Sequence, residues 1–364
     1  MRLLHPAQYM DKWRVDRTGV RAIANDAIKK ALGFWERSPM AMISHSHGRL
    51  FRPLKGAAAL LAAAIALAAG SVVPAQSRIN VLLVTGQSNR YHNWETSSPI
   101  VKRLLEDGGR FAVTVATTPP KGAAPNQDMS SFAPKFSDYQ AVVLDYEGFE
   151  LAPPVKQAFV DYVRNGGGLV VLHAADNAFP GWAEYNEMIG VGGWGGFTPG
   201  YANRTQAAGP KIRWRDGGMV LDSDTPGTAQ HPSPHDFLMT VRAPEHPIMK
   251  GLPPAWLHAG DELYSNLRGP ARNVTVLATA MAPASMPNGT GENEPIVMAI
   301  TYGRGRVFHD TLGHVGATQK EPIVPMASVD YIVLLQRGTE WAATGAVTIP
   351  VPRDFPTAEK TSVR

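Results

Sequence analysis

From residue 79 onward, apolar runs bounded by glycine and polar turns set the layout of this chain. Ile79 to Val84, Gln140 to Asp145 and the stretch Gly166-Gly-Gly-Leu-Val-Val-Leu172 are nearly continuous in apolar residues, as strands covered on both faces are. Phe111 to Thr117 alternates larger and smaller side chains after a turn at Asp107-Gly-Gly109 and reads as a further strand. Between these runs Ile100, Leu104 and Leu105 carry helical spacing. Pro153 opens a second helix at its first turn, where proline is tolerated, and three glycines stop it after Asn165. Strand, helix and strand recur at intervals that leave room only for crossover helices. The pattern predicts an α/β fold: a doubly wound, mostly parallel sheet with helices on both faces.

The second half is less regular. Trp182 to Ile189 reads as a short helix, and residues 190–235, rich in Gly, Pro, Thr and Asp, as an irregular insertion over the sheet edge with short strands such as Lys211 to Trp214. A loop of that length usually forms a lid or a binding wall. Strands resume at Phe237 to Val241, Val274 to Ala278, Pro295 to Tyr302 and Gly305 to Asp310. A helix from Pro325 to Thr344 closes a domain of residues 79–344, and 345–364 is a proline-rich tail.

The first 75 residues follow another logic. Arg49, Arg52 and Lys55 precede an apolar run from Gly56 to Gly70, and Val73-Pro-Ala75 places small residues at a cleavage site: the pattern of a secretory signal peptide over about residues 42–75. The run is too short for a comfortable membrane span, which needs ~20 residues. Either translation starts at Met40 or Met42 and the preceding residues are upstream sequence, or Trp13, Ile23, Ala27, Ile28, Ala31 and Phe34 form an amphipathic helix that is really made. On both readings the body is expected outside the cytoplasm, periplasmic or secreted, with no stable membrane span after cleavage.

Charge changes the picture once it is divided. The chain is formally +4, but residues up to Ala75 hold 11 Lys and Arg against 4 Asp and Glu, leaving 24 against 27, a net of −3, in the remainder. A slightly acidic body without a basic, aromatic-interleaved face is not built for nucleic acid. The absence of cysteine excludes a thiol nucleophile, a disulfide and a Cys-ligated zinc. Gly86 stands alone where a dinucleotide fingerprint needs G-x-G-x-x-G.

The remaining chemistry gathers at predicted strand ends, which in open α/β sheets is where ligands bind. His92 with Glu95, His173 with Asp176, His258 with Asp261, Glu262 and Tyr264, His309, and His314 all follow or close an apolar run. Imidazoles with a carboxylate can bind a divalent metal such as zinc, with His92, His173, His258, Glu262 and His314 as candidate ligands. Without a metal, His92, His173, Glu262 and His314 can do acid–base work. The plainer alternative for His173 is a packed core histidine, and His309, facing the other side of its strand from Asp310, reads as structural. His246-Pro-Ile and His231-Pro-Ser-Pro-His235 read as turn punctuation. Trp94, Trp182, Trp194 and Tyr201 can stack on a sugar ring, and Glu95, Asp176, Tyr264, Asn203 and Arg204 can bond its hydroxyls.

Five stretches, Val84-Thr-Gly-Gln-x-x-x-x-His-Asn-Trp94, Gly166-Gly-Gly-Leu-Val-Val-Leu-His-Ala-Ala175, His246-Pro-Ile-x-x-Gly-Leu-Pro253, Asp261-Glu-Leu-Tyr264 and Gly303-Arg-Gly-Arg-Val-Phe-His-Asp-Thr-Leu-Gly-His314, resemble the trehalose-utilisation, or ThuA-like, family in that order. The resemblance implies a fold similar to class I glutamine amidotransferases, whose nucleophilic cysteine stands on the turn after a central strand. Here that turn carries His173-Ala-Ala-Asp176, so the amidotransferase chemistry is withheld. It also implies trehalose, related disaccharides or their 3-keto derivatives as ligands. The expected function is an exported carbohydrate-processing enzyme, with a non-catalytic carbohydrate-binding protein as the alternative. The oligomeric state is left open.

Overall fold

A computed structural model of the protein describes residues 77–120, 128–193, 209–225 and 227–364. The signal-peptide stretch, the alternative starts Met40 and Met42, and the insertion residues Trp194, Tyr201, Asn203 and Arg204 lie outside the described residues.

In β1 (Ile79–Thr85) successive side chains enter two different cores: Ile79, Val81 and Leu83 one, Leu82 and Val84 the other. Neighbours on a strand point to opposite faces, so an apolar run without polar breaks requires cover on both sides. On the first face α1 (Trp94–Glu106) supplies it with Ile100, Val101 and Leu105, and the late helix Val329–Thr344 with Leu334 and Leu335. On the second, α2 (Pro153–Arg164) brings Phe159, Val160 and Val163, and α3 (Ala183–Ile189) brings Tyr185 and Met188. Each fully buried aliphatic or aromatic side chain contributes about 1.5–3 kcal/mol, which makes these two layers the main source of stability. The helices thus stand on both faces of the sheet, as the sequence leads one to expect.

The remaining strands are β2 (Phe111–Thr117), β3 (Ala141–Leu144), β4 (Gly168–Leu172), β5 (Lys211–Arg215), β6 (Gly218–Asp222), β7 (His235–Val241), β8 (Ala255–Asp261), β9 (Val274–Met281), β10 (Asn293–Tyr302) and β11 (Gly305–Asp310). Among the described residues β1 and eight of these form one sheet in the order β2-β1-β3-β4-β11-β10-β9-β7-β8. The strands from β2 to β11 in that order run parallel, whereas β11, β10, β9, β7 and β8 pair antiparallel. The expected mostly parallel sheet is therefore corrected to a mixed one with a parallel core. The reason lies in the connections. Gly303 and Arg304 alone join β10 to β11, with Gly303 at φ +59°, and a two-residue link can only return the chain antiparallel. The longer links between β7, β8, β9 and β10 are broken by proline and glycine and hold no crossover helix.

β8 escapes sequence reading. Its inward positions are Trp256, His258 and Asp261, so no apolar alternation marks it. Within the insertion, β5 and β6 form a hairpin of their own, starting at the expected Lys211. Arg213, buried, pins it to β10 through Glu294 and to Asn266. The helix expected from Pro325 is interrupted at Ser328, giving α4 (Val324–Ala327) and α5 (Val329–Thr344). The proline-rich tail is not loose: Val347, Ile349 and Phe355 pack against the first core, and Thr357 accepts a hydrogen bond from Leu257 N of β8.

α5 comes so close to the sheet that a Cβ on Gly338 would stand 2.1 Å from the ring of Phe308 on β11. In an exposed helix interior Gly→Ala gains about 1 kcal/mol. Here overpacking at about 1–3 kcal/mol wins, so Gly338→Ala is expected to lower the melting temperature. A raised melting temperature in thermal denaturation would show that this contact does not limit the helix.

Candidate active site

The strand order reverses beside β1: β2, next in sequence, lies on one side, and β3 on the other. A crevice opens at such a point beyond the carboxyl ends of the strands, and the loops that follow them fill it. The loop after β1 is held from both sides. Gly86 sits at φ +120° with Thr118 so near that a Cβ would meet its backbone N at 2.6 Å. Gln87, almost fully buried, donates to Pro119 O at 2.7 Å and accepts from Phe149 N at 2.9 Å, which stitches the loops after β1, β2 and β3 together. Asp145, just past β3, accepts from Ser97 Oγ of α1 at 2.7 Å.

His92 emerges from this frame with Nδ1 3.1 Å from Glu147 Oε2 and 3.0 Å from Asn89 Oδ1. Both neighbours accept, so Nδ1 carries the proton and Nε2 presents its lone pair. His173 is the first residue past β4, at φ +39°, a left-handed conformation that costs a non-glycine residue of order 1–3 kcal/mol. Its Nδ1 donates to Thr311 O at 2.7 Å, because a carbonyl can only accept, and Nε2 is left bare. His314 follows β11, and Glu262 follows β8. His173 Nε2 lies 3.1 Å from His314 Nδ1 and 3.7 Å from Glu262 Oε2, and His314 Nδ1 lies 3.1 Å from Glu262 Oε2. The three imidazole rings stand 5.1 to 5.2 Å apart, and one ligand-type atom from each of the four residues falls within 4.8 Å of all the others.

Such a group is electrostatically unfinished by itself. Burial, with His314 and His92 alongside, drives His173 well below the usual imidazole range, and burial pushes His314 down to about 4. Burial and the charge of Asp261 raise Glu262 to about 7. His173 and His314 are thus held neutral, the bare nitrogens of His92 and His173 turn inward, and the carboxyl keeps its proton up to about neutral pH. A divalent cation relieves all three conditions at once. The second partners fit too: a carbonyl on His173 and a carboxylate on His92 fix the tautomers that metal-bound histidines adopt. His92, His173, Glu262 and His314 can therefore hold a metal.

The structure does not bring all expected residues here. His258 is corrected: it is fully buried on β8, with Nδ1 2.8 Å from Asp330 Oδ2 and Nε2 3.0 Å from Asp261 Oδ2, so neither nitrogen is left for a metal. Burial opposes its charge, but the two carboxylates outweigh it and raise the imidazole to about 10. Glu95 is exposed on the first turn of α1, outside the cleft lining, and Glu147 is the carboxylate beside His92. Asp176 is fully buried beneath the turn, its carboxylate 3.7 Å from His309 Nε2, and Trp94 lies behind the cluster; neither lines the cleft. His309 is structural, with Nδ1 donating to Ile189 O at 2.9 Å. Tyr264 is in place: its ring is 4.4 Å from that of His173, and its hydroxyl is 3.4 Å from His92 Nε2.

In front of the cluster opens a cleft of about 470 Å³ whose lining includes Asn89, Asn177, Gln230, Asn288, Tyr91 and His231. Sequence reasoning did not single out the four amides or Tyr91, and it read His231 as a turn residue. The His231 ring runs nearly parallel to Tyr264 at 6.0 Å, with Nδ1 donating to Pro232 O at 2.9 Å and Nε2 3.4 Å from Glu262 Oε1. Glu147 had one available signal, its position three residues past an apolar strand at the switch point; His231 had none.

Residues 80–342 match the family model described as trehalose utilisation, ThuA. A thua-like protein from Parabacteroides merdae is 44% identical, aligned over 79% of this chain and 98% of its own, with a TM-score of 0.72. Another thua-like protein, from Bacteroides uniformis, is 17% identical over 75% of this chain and 96% of its own, with a TM-score of 0.47. No curated protein matches the chain.

Since burial holds His173 and His314 below the usual imidazole range while it raises Glu262 to about 7, Glu262 is expected to set the pH dependence of metal binding near neutrality. Zinc affinity is expected to fall about tenfold per unit as pH drops below about 7, where the carboxyl takes up its proton. In Glu262→Gln that slope should flatten, with weaker binding at pH 8. Chelator competition between pH 5 and 8 measures both, and an unchanged slope in the variant would assign the proton to another group.

Proposed function

The chain belongs to the ThuA, trehalose-utilisation, family, and from that premise we propose that it is an exported, metal-assisted enzyme acting on a glycoside or its 3-keto derivative. The observation that carries the reading is the convergence of three imidazoles, two of them fixed in tautomer by an outer partner, and one carboxylate on the floor of a cleft large enough for a sugar. A non-catalytic binding module has no use for such a floor. A divalent cation such as zinc, held by His92, His173, His314 and Glu262, supplies a Lewis acid for a carbonyl or a leaving oxygen, or an activated water.

The chain's own groups do the rest. Asn89, Asn177, Gln230 and Asn288 offer amides that both donate and accept, which suits vicinal hydroxyls. Among the described lining residues none is Lys or Arg, which favours an uncharged sugar over a phosphorylated one. Tyr91, exposed in the lining, provides a ring for the apolar side of a pyranose. His231, its Nδ1–H committed to Pro232, turns Nε2 toward Glu262 and the cleft and can accept a proton from a carbon beside a ketone or from water.

The test is elemental analysis of the purified protein together with turnover of 3-keto-trehalose and of trehalose. About one divalent ion per chain is expected, with turnover reduced by about 10²–10⁴ in His231→Ala, the range of a lost acid–base group. His173→Ala should lose the ion as well as the activity. Sugar binding without turnover, in a protein free of metal, would leave a carbohydrate-binding protein on an enzyme-like scaffold.

A further inference from the structure

Two of the four cluster residues come from strands that never touch. Glu262 follows β8 and His314 follows β11, and β10, β9 and β7 lie between those strands in the sheet. No ladder of backbone hydrogen bonds fixes the spacing of Glu262 from His314. One side chain does. Asp261 accepts the backbone N–H of Glu262 at 2.8 Å and that of His314 at 3.1 Å on Oδ1, and that of Gly313 at 2.6 Å on Oδ2. A single carboxylate therefore carries the loop of each partner.

Asp261 is held in turn. His258 Nε2 donates to its Oδ2 at 3.0 Å, while His258 Nδ1 donates to Asp330 Oδ2 at 2.8 Å. Both ring nitrogens face carboxylates, so both carry protons and the ring is an imidazolium between two anions; a neutral ring would set a lone pair against a carboxylate oxygen. Asp330 stands in the first turn of α5, where the helix favours an anion, and also accepts Trp256 Nε1–H at 2.8 Å and the Ser328 hydroxyl. All three members of this set are fully buried, and none lines the cleft.

We propose that Asp330, His258 and Asp261 form a positioning device that sets the separation of Glu262 from His314, and that His258 is its central residue although it touches neither metal nor sugar. In its metal-binding consequence this rests on the reading that the four-residue cluster binds a cation. The device differs from a general contribution to stability because its output is one distance, the 3.1 Å between His314 Nδ1 and Glu262 Oε2.

The experiment compares His258→Gln with Gly338→Ala, which overpacks α5 against Phe308 about two turns along the helix from Asp330 and adds no atom against the four cluster residues. Zinc affinity is measured by chelator competition well below the melting temperature of each variant, and zinc-free crystals give the Glu262–His314 separation. His258→Gln is expected to widen that separation and weaken zinc by about 10- to 100-fold, as lost outer partners of metal ligands do. Gly338→Ala should change neither, even at a comparable loss of melting temperature. An unaltered separation in a folded His258→Gln protein overturns the proposal. So does an equal loss of zinc affinity in Gly338→Ala, which would make the effect one of stability alone. If His258→Gln does not fold, Asp330→Asn, close in shape, takes its place with the same two outcomes. If the wild-type protein binds no zinc, the metal reading fails separately, and the separation in the crystals still decides whether His258 positions Glu262 and His314.

Discussion

The bare nitrogens of His92 and His173, the Nδ1 of His314 and a carboxylate oxygen of Glu262 converge on one largely buried point, and the structure is arranged to keep them there. Left to relax, His173 would turn its bare Nε2 away from His314. The Thr311 carbonyl, 2.7 Å from its other nitrogen, prevents this. His92 is denied the same escape by Glu147 and Asn89. The convergence is therefore imposed by surrounding hydrogen bonds, which hold groups that would repel or ignore one another in water. A cation at this point would favour the arrangement, and burial already holds His173 and His314 below the usual imidazole range.

The mixed sheet explains how one point can collect residues from so much of the chain. Its parallel core aligns the carboxyl ends of β1, β3, β4 and β11, so His92, Glu147, His173 and His314 arrive from the same edge. The antiparallel half adds Glu262, Tyr264 and, through the insertion, His231 and Gln230 as the opposite wall of the cleft. The parallel strands build the floor and the antiparallel ones the wall.

Much of this is legible in the sequence, for particular reasons. β1, β3 and β4 are readable because both their faces are apolar, and α2 because proline and glycine mark its ends. His173 stands out as the polar residue that breaks off an apolar run, His92 by its place in the polar loop after the first strand, and His314 by its place past the glycine that follows the last strand. Glu262 stands out for its neighbours. β8 is hidden because a strand that points Trp256, His258 and Asp261 inward has no apolar period, and with it the inward direction of His258 is hidden as well. Asp176 illustrates the converse: it lies three residues past His173, and the 3₁₀ turn that follows carries it under the sheet edge rather than into the cleft. His231 and the amides sit in loops, where spacing carries no direction at all.

The tail has a bearing on when the site can exist. Phe355 packs its ring 5.3 Å from that of Trp256, Thr357 takes a hydrogen bond from β8, and Ser328 pairs with Val363 beside Asp330. A growing chain offers its residues in order, and His92, His173, Glu262 and His314 are all present well before these partners are. Until residues 355–363 dock, β8 has an open edge. Assembly of the centre is thereby tied to a stretch that follows all four ligands along the chain, so that a copy cut back before Phe355 carries all four and still lacks the packing behind β8.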